Sequence, residues 1–158
     1  MVTIAKAVEG CGDEALRTVL SAAISKLFAE DTALFTRDVA ERAIAHRLAI
    51  HLSLLVPEWH VDCEYNRDGH KPKRLKVRGR RKDVHPDLVV HRRGTQDNLL
   101  VLELKKTTGD KDSSYDLEKL DAFVEELGYR HALFLRFLVK TDTPGITEAI
   151  WIASEKHT

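Results

Sequence analysis

The sequence has too few cysteines for a disulfide framework or for a four-cysteine zinc or iron–sulfur site, because Cys11 and Cys63 are the two it contains. It also lacks the run of about 18 apolar residues that a membrane-spanning helix needs. Its first residues contain no apolar stretch long enough for a secretory signal peptide. We therefore expect a cytoplasmic protein without a membrane partner, and the few cysteines weakly favour a reducing compartment.

The sequence has no net charge, since 25 Lys and Arg balance 25 Asp and Glu. Bulk electrostatics consequently exclude no class of partner, and only local clusters of charge are informative. Internal repeats and low-complexity segments are also missing. The 158 residues, 43% of them apolar and 32% charged, predict one globular domain over residues 1–158.

Apolar stripes at helical spacing predict two helices at the start of the chain. Asp13 is the expected N-cap of the first, which reaches about Glu30. Thr36 is the expected N-cap of the second, which reaches about Val56 before Pro57 ends it.

The pattern then changes to strands, apart from one more helix that is predicted from a capping box at Ser113 and Asp116 to Leu127, with Gly128 after it. The predicted strands cover residues 59–65, 84–91, 99–105, 132–139 and, as a short last strand, 148–153. The turn at Gly94 favours an antiparallel second and third strand, and the crossover helix favours a parallel pair. We expect an α/β fold with a mixed central β-sheet flanked by helices.

Two charged residues end the otherwise apolar third strand. Side chains alternate along a strand, so Glu103 and Lys105 share one face, about 7 Å apart. Charges placed there cost free energy unless they are paired, hydrated or bound to metal. Asp87 follows Pro86 on the preceding strand and could face Glu103. Two facing carboxylates repel unless a cation lies between them, and oxygen ligands favour Mg²⁺ or Mn²⁺ over zinc.

His85-Pro86-Asp87 followed by Glu103-Leu104-Lys105 resembles the signature of the PD-(D/E)xK nucleases. The element order over about 36–139 resembles the restriction-endonuclease-like core α-β-β-β-α-β of that superfamily, with an extra N-terminal helix. The resemblance implies a hydrolase that cleaves phosphodiester bonds in nucleic acid, with DNA favoured. It implies Mg²⁺ as the cofactor and Mn²⁺ as a substitute.

The resemblance also implies roles for individual residues. Asp87 and Glu103 would hold the metal ion together with the backbone carbonyl of Leu104, and Lys105 would assist the attacking water. Glu41, on the helix before the sheet, matches the acidic residue that often completes such a site. Lys119, on the helix after the motif, matches a basic residue that can contribute there.

Residues 67–82 contain nine Lys and Arg but one acid, Asp68, and are expected to form a loop or an exposed hairpin. In a nuclease such a cluster would contact phosphates, so the segment is a candidate nucleic-acid surface, together with Lys119. The residues we assign to this contact within the segment are Arg67, Lys73, Arg74, Arg78, Arg80, Arg81 and Lys82.

Several plainer interpretations stay open. Glu103 and Lys105 could be a surface ion pair, and the basic segment a solvated loop. His46, His51, His60 and His70 show no trusted ligand spacing, and we expect surface positions for them. The chain could be a nucleic-acid-binding module without catalysis, or a regulatory subunit without nucleic acid. A homodimer would allow a chain of this size to act on both strands of a duplex.

Overall fold

The computed structural model describes residues 1–152, which form five helices and seven strands. The helices are α1 (Ile4–Val8), α2 (Glu14–Glu30), α3 (Thr32–Thr36), α4 (Glu41–Leu55) and α5 (Ser114–Leu127). The strands are β1 (His60–Asp62), β2 (Arg74–Val77), β3 (Arg80–Asp83), β4 (Leu88–His91), β5 (Asn98–Lys106), β6 (His131–Leu138) and β7 (Gly145–Trp151). No helix in this part of the chain is long and apolar enough to cross a membrane.

The predicted mixed sheet with flanking helices is confirmed. A five-stranded sheet has the order β1-β4-β5-β6-β7, in which β5 and β6 are parallel and the other neighbours antiparallel. The antiparallel β4–β5 pair and the parallel pair across α5 are as predicted. Strands β2 and β3 form a separate antiparallel hairpin.

Apolar side chains cover both faces of the central sheet, as the nearly continuous apolar sequence of β5 indicates. On one face, Leu100, Leu102 and Leu104 of β5 pack in a core shared with α2 and α4. On the other, Val101 packs in a second core shared with α5 and with β2 of the hairpin. The alternation of β5 therefore directs Glu103 and Lys105 towards the α5 side.

The helical predictions are confirmed for α2 and wrong for the start of α4. Asp13 caps α2, and its carboxylate accepts a hydrogen bond from the Leu16 N–H at 3.0 Å. Thr36, however, ends α3, and its hydroxyl donates to the carbonyls of Thr32 and Thr141. The backbone then turns at Asp38, whose φ is +52°, so α4 begins at Glu41 instead.

The five predicted strands correspond in order to the five strands of the central sheet, but three of their boundaries are wrong, and β2 and β3 lie in the segment expected to be a loop or an exposed hairpin. The first strand is shortened to β1, because Glu64 takes a φ of +52° and leaves the sheet. The second begins at Leu88 rather than at Val84, since Pro86 has no N–H for the ladder. The last begins at Gly145, and Ala153 of that prediction lies outside the described residues.

Helix α5 ends as predicted but starts differently. Gly128 caps it with a φ of +67°, a conformation that favours glycine. Ser113 precedes the helix without a side-chain capping bond, so the predicted capping box is wrong. The carboxylate of Asp112 accepts a hydrogen bond from the Ser114 N–H at 2.9 Å instead, and this leaves Asp116 available for another contact.

Candidate active site

Asp87 stands immediately before β4 and is fixed by the backbone of β5. Its carboxylate accepts a hydrogen bond from the Leu104 N–H at 2.7 Å. Leu88 pairs with Leu102, so the same register places Asp87 opposite Glu103, as the sequence suggested. The Pro86 carbonyl, which would be the ladder's acceptor for the Leu104 N–H, accepts the Glu64 N–H at 2.8 Å instead, so the Asp87 side chain accepts the Leu104 N–H.

Glu103 lies in the middle of the sheet and is 3% exposed. Burial, and next the charge of Asp87, raise the pKa of the Glu103 carboxyl well above its ordinary value. Its Oε1 lies 2.9 Å from the Nζ of Lys119 as an ion pair, without the alignment of a hydrogen bond. One cation therefore serves two neighbouring carboxylates, and the group favours a further positive charge.

Lys119 belongs to this cluster rather than to the surface. Its ammonium contacts Glu103 and donates a hydrogen bond to the His85 carbonyl at 2.9 Å, which ties α5 to the segment before Asp87. Burial is the largest single influence and acts to lower the pKa of Lys119, but the contact with Glu103 and the charges of Glu103, Asp87 and Asp116 together outweigh it and raise the pKa. The position agrees with the prediction that Lys119 contributes to the site, and its contact with nucleic acid stays a prediction.

Lys105 shares the face of Glu103 and lies closer to solvent, with its side chain 24% exposed. Its Nζ is 3.5 Å from the carboxylate of Asp116 on α5. Strand and helix therefore match in charge, since Glu103 meets Lys119 and Lys105 meets Asp116. Two residues of strand span about 7 Å and three residues of helix about 4.5 Å, so the spacings are compatible.

Glu41 begins α4 and reaches the end of β5. Its Oε2 accepts a hydrogen bond from the Lys106 N–H at 3.0 Å. Burial raises the pKa of Glu41, and the charge of Lys105 acts against that shift. The negative charge of Asp87 also contributes to the shift, so the helix before the sheet brings a third carboxyl group near the Asp87–Glu103 pair.

The Leu104 carbonyl faces the side of β5 on which Asp87 lies, because the N–H and C=O of one strand residue point to the same neighbour. Pro86 stands opposite Leu104 if the register continues, and it has no N–H to donate. Strand β4 therefore leaves this carbonyl available at the position where the resemblance implies a ligand.

A cavity of about 330 Å³ opens beside Asp87 and Glu41. Cys63 also lines it, and burial raises the pKa of that thiol to about 11, so the thiol stays protonated at neutral pH. Arg42 and Glu64 form a 3.4 Å ion pair in its wall. Within residues 1–152, no three His, Cys, Asp or Glu side chains converge closely enough to form a ready-made metal site.

The hairpin carries most of the predicted phosphate contacts, but several of its cations are paired. Arg78 Nε lies 2.8 Å from the carboxylate of Glu118, and Arg81 Nη1 lies 2.6 Å from that of Glu126. Lys82 lies 4.9 Å from the centre of the Tyr115 ring. Three further candidates of the segment are exposed, namely Arg67, Arg80 and Arg74, which is 3.4 Å from Asp83.

Lys73 was predicted to contact nucleic acid, and this is wrong for the structure described here. It is 1% exposed, and its Nζ donates to the Tyr65 carbonyl at 2.7 Å and lies 4.9 Å from the centre of the Tyr65 ring. Burial lowers the pKa of Lys73 to about 8. Lys73 is therefore part of the support for the hairpin, and a phosphate cannot reach it.

The expectation of surface histidines fails at His51, which is 3% exposed. Its Nε2 lies 2.7 Å from Asp31. His91, also 3% exposed, meets Asp62 at the same distance. Each buried ring thus has a carboxylate partner, and both lie apart from the Asp87 cluster.

Sequence reasoning missed two residues that shape the site. Asp116 was interpreted as a cap, yet it holds Lys105, and its spacing of three from Lys119 was the available signal. Arg136 on β6 is buried, and its guanidinium donates to the Asp110 carbonyl at 2.9 Å, which fixes the loop after β5. No pattern in the sequence marks that second role.

Comparison with known proteins adds no relative, because no family model, curated protein or solved structure shows a significant match to this chain.

Proposed function

We propose that this protein is a metal-dependent phosphodiesterase that hydrolyses nucleic acid, with DNA as the favoured substrate. The observation that carries the proposal is the meeting of Asp87 and Glu103 across β4 and β5, with Lys105 on the same face as Glu103. The order α4, β1, β4, β5, α5, β6 supports a restriction-endonuclease-like core, into which β2 and β3 are inserted.

The donor groups suit Mg²⁺ or Mn²⁺. Asp87 and Glu103 would hold the ion, with the Leu104 carbonyl and Glu41 in support. Two carboxylates are enough, because Mg²⁺ commonly retains several waters and takes one or two protein carboxylates beside substrate phosphates. When a single lysine balances the negative charge of two neighbouring carboxylates, part of that charge stays uncompensated. The raised pKa of Glu103, and its buried Oε1 without a hydrogen-bond donor, are expected in that situation. When bound, the ion would polarise a phosphoryl oxygen and lower the pKa of bound water.

The chain's own residues would then divide the work. Asp116 keeps the ammonium of Lys105 near the end of β5, where it can orient an attacking water or stabilise charge on the phosphate. Lys119 holds Glu103 and the His85 carbonyl, and so fixes the distance between the two motif segments. Glu41 holds the Lys106 N–H and keeps the mouth of the cavity in place.

A second candidate is a nucleic-acid-binding module without catalysis. The observation that favours it is that both charged residues of the motif on β5 are paired, since Glu103 contacts Lys119 and Lys105 contacts Asp116. Such pairing can be purely structural. This candidate predicts binding that needs neither a divalent ion nor Lys105.

The test is incubation with plasmid, linear duplex and single-stranded DNA, and with RNA, in Mg²⁺, Mn²⁺ or EDTA. We expect cleavage with either ion, none in EDTA, and a loss of about 100-fold or more in Lys105→Met at unchanged nucleic-acid affinity, because that side chain acts in the transition state. Asp87→Asn should abolish cleavage, whereas Asp83→Asn, which changes an exposed acid of the hairpin, should not. Full activity in Asp87→Asn would refute the assignment.

A further inference from the structure

The groove between β2 and α5, with a volume of about 580 Å³, holds cations and acids in contact. Its hairpin wall carries Arg78 and Arg81, and its helix wall carries Glu118 and Glu126. In addition to the two ion pairs, Arg78 donates to the Ser114 hydroxyl at 2.9 Å, and Glu126 accepts the Lys76 N–H at 2.9 Å. The carboxylates of α5 therefore occupy the positions at which the oxygens of an anionic ligand would contact the two arginines of the hairpin.

The two carboxylates are spaced along α5 in a way that suits this substitution. Glu118 and Glu126 are eight residues apart, which is about 12 Å along a helix. Their guanidinium partners lie on one hairpin, Arg78 at its turn and Arg81 on β3. Guanidinium groups bind carboxylates and phosphates through the same donors, so either anion can occupy them.

These contacts are easily exchanged. The side chains of Arg78 and Arg81 are 49% and 61% exposed, and ion pairs at such exposure contribute little to stability. A polyanion that approaches the hairpin could therefore displace the helix carboxylates without unfolding the hairpin, whose apolar face is held by Leu75 and Val77 in the core with α5.

We propose that Glu118 and Glu126 compete with nucleic-acid phosphates for Arg78 and Arg81, so that α5 restrains the binding surface of the hairpin until a phosphate backbone replaces it. This inference rests on the proposed function for the identity of the polyanion. It adds a regulatory contact, and it predicts that removing negative charge from these two positions tightens binding specifically through the two arginines.

The test compares Glu118→Gln/Glu126→Gln with a matched pair, Asp121→Asn/Glu125→Gln. The matched acids line the same groove and form no ion pair among the described residues, yet their removal changes the net charge equally. Glutamine keeps the length of Glu and can still accept the Lys76 N–H. Affinity for a labelled DNA duplex is measured in EDTA, and thermal unfolding confirms that each variant is folded.

We expect Glu118→Gln/Glu126→Gln to bind about three- to tenfold more tightly than the wild type, which is the scale of two exposed ion pairs. The affinity of the matched pair should increase clearly less. Combining Arg78→Ala/Arg81→Ala with the Gln substitutions should remove the increase in affinity. Equal gains in both pairs, or weaker binding of the Gln variant, would overturn the competition while leaving the proposed function intact. Failure of every variant to bind at low salt would overturn both.

Discussion

Helix α5 makes ion pairs of two kinds, and their difference shows how burial decides what a charge contributes. Towards the sheet, Lys119 meets Glu103 with side chains 12% and 4% exposed. Towards the hairpin, Arg78 meets Glu118 with both side chains about half exposed. The first pair must stay together, because each member left alone would be a buried charge. The second can be exchanged for solvent or a ligand at little cost.

The largest expected effect follows from breaking the buried pair. Lys119→Met leaves Glu103 beside Asp87 without its cation, and we expect a loss of about 3–5 kcal/mol in the free energy of unfolding. Adding Glu103→Gln should restore most of that loss, because no uncompensated charge then remains at that position. Denaturant unfolding at neutral pH measures both variants. Lys26→Met, at an exposed position of α2, is the control, and an equally small effect in Lys119→Met would remove the distinction between the two pairs.

Lys73 differs from Lys119 in one respect: it is a buried cation that no carboxylate contacts within the described residues. Burial lowers its pKa from 10.5 to about 8, so the folded state releases this proton at lower pH than the unfolded chain does. The unfolded state then binds more protons between these values, and stability rises with pH across that window. Below pH 8 the charged lysine costs stability, and that cost disappears as the pH rises.

Lys73→Met should therefore raise the free energy of unfolding, whereas Lys119→Met should lower it. The pKa shift of Lys73 corresponds to a destabilisation of about 3 kcal/mol by the buried charge, which the variant removes. The variant also loses the hydrogen bond to the Tyr65 carbonyl, which costs about 1 kcal/mol. We therefore expect the free energy of unfolding to rise by about 1–2 kcal/mol at pH 7. The difference between variant and wild type should shrink as the pH rises from 8 towards 10.5. Urea unfolding across this range measures it, and a destabilised variant with no pH dependence would show that Lys73 is well compensated.

The central sheet could be predicted from the sequence because its signals are local. The apolar run of β5 and the turn at Gly94 favour the antiparallel pair, and Pro86 marks where the ladder loosens, whereas the register that places Asp87 opposite Glu103 comes from the structure. The crossover through α5 likewise follows from its cap at Gly128 and from the strand on either side.

The remaining features depend on contacts between distant residues. Asp38 is held by Lys106 at 2.9 Å, and that contact helps to set the turn before α4 that the Thr36 prediction missed. Lys73 is buried only because Tyr65, Phe123 and Tyr129 surround it, whereas its neighbours in sequence look like a solvated loop. The pairs between the hairpin and α5 join residues about 40 positions apart, and no local pattern encodes them.

The smallest expected effect is a difference in the salt dependence of duplex binding between two arginines of the hairpin, one without and one with a carboxylate partner. Arg80 forms no ion pair among the described residues, whereas Arg78 must leave Glu118 before it can bind a phosphate. A cation that neutralises a phosphate releases condensed counterions, so its removal lowers the log–log salt slope by about one unit. Arg80→Ala should show that full decrease, and Arg78→Ala a smaller one together with a smaller loss of affinity, because part of its binding is offset by the lost Glu118 contact. The measurement is duplex affinity over a salt series in EDTA. A larger loss for Arg78 than for Arg80 would mean that Glu118 presents the guanidinium to the ligand rather than competing for it.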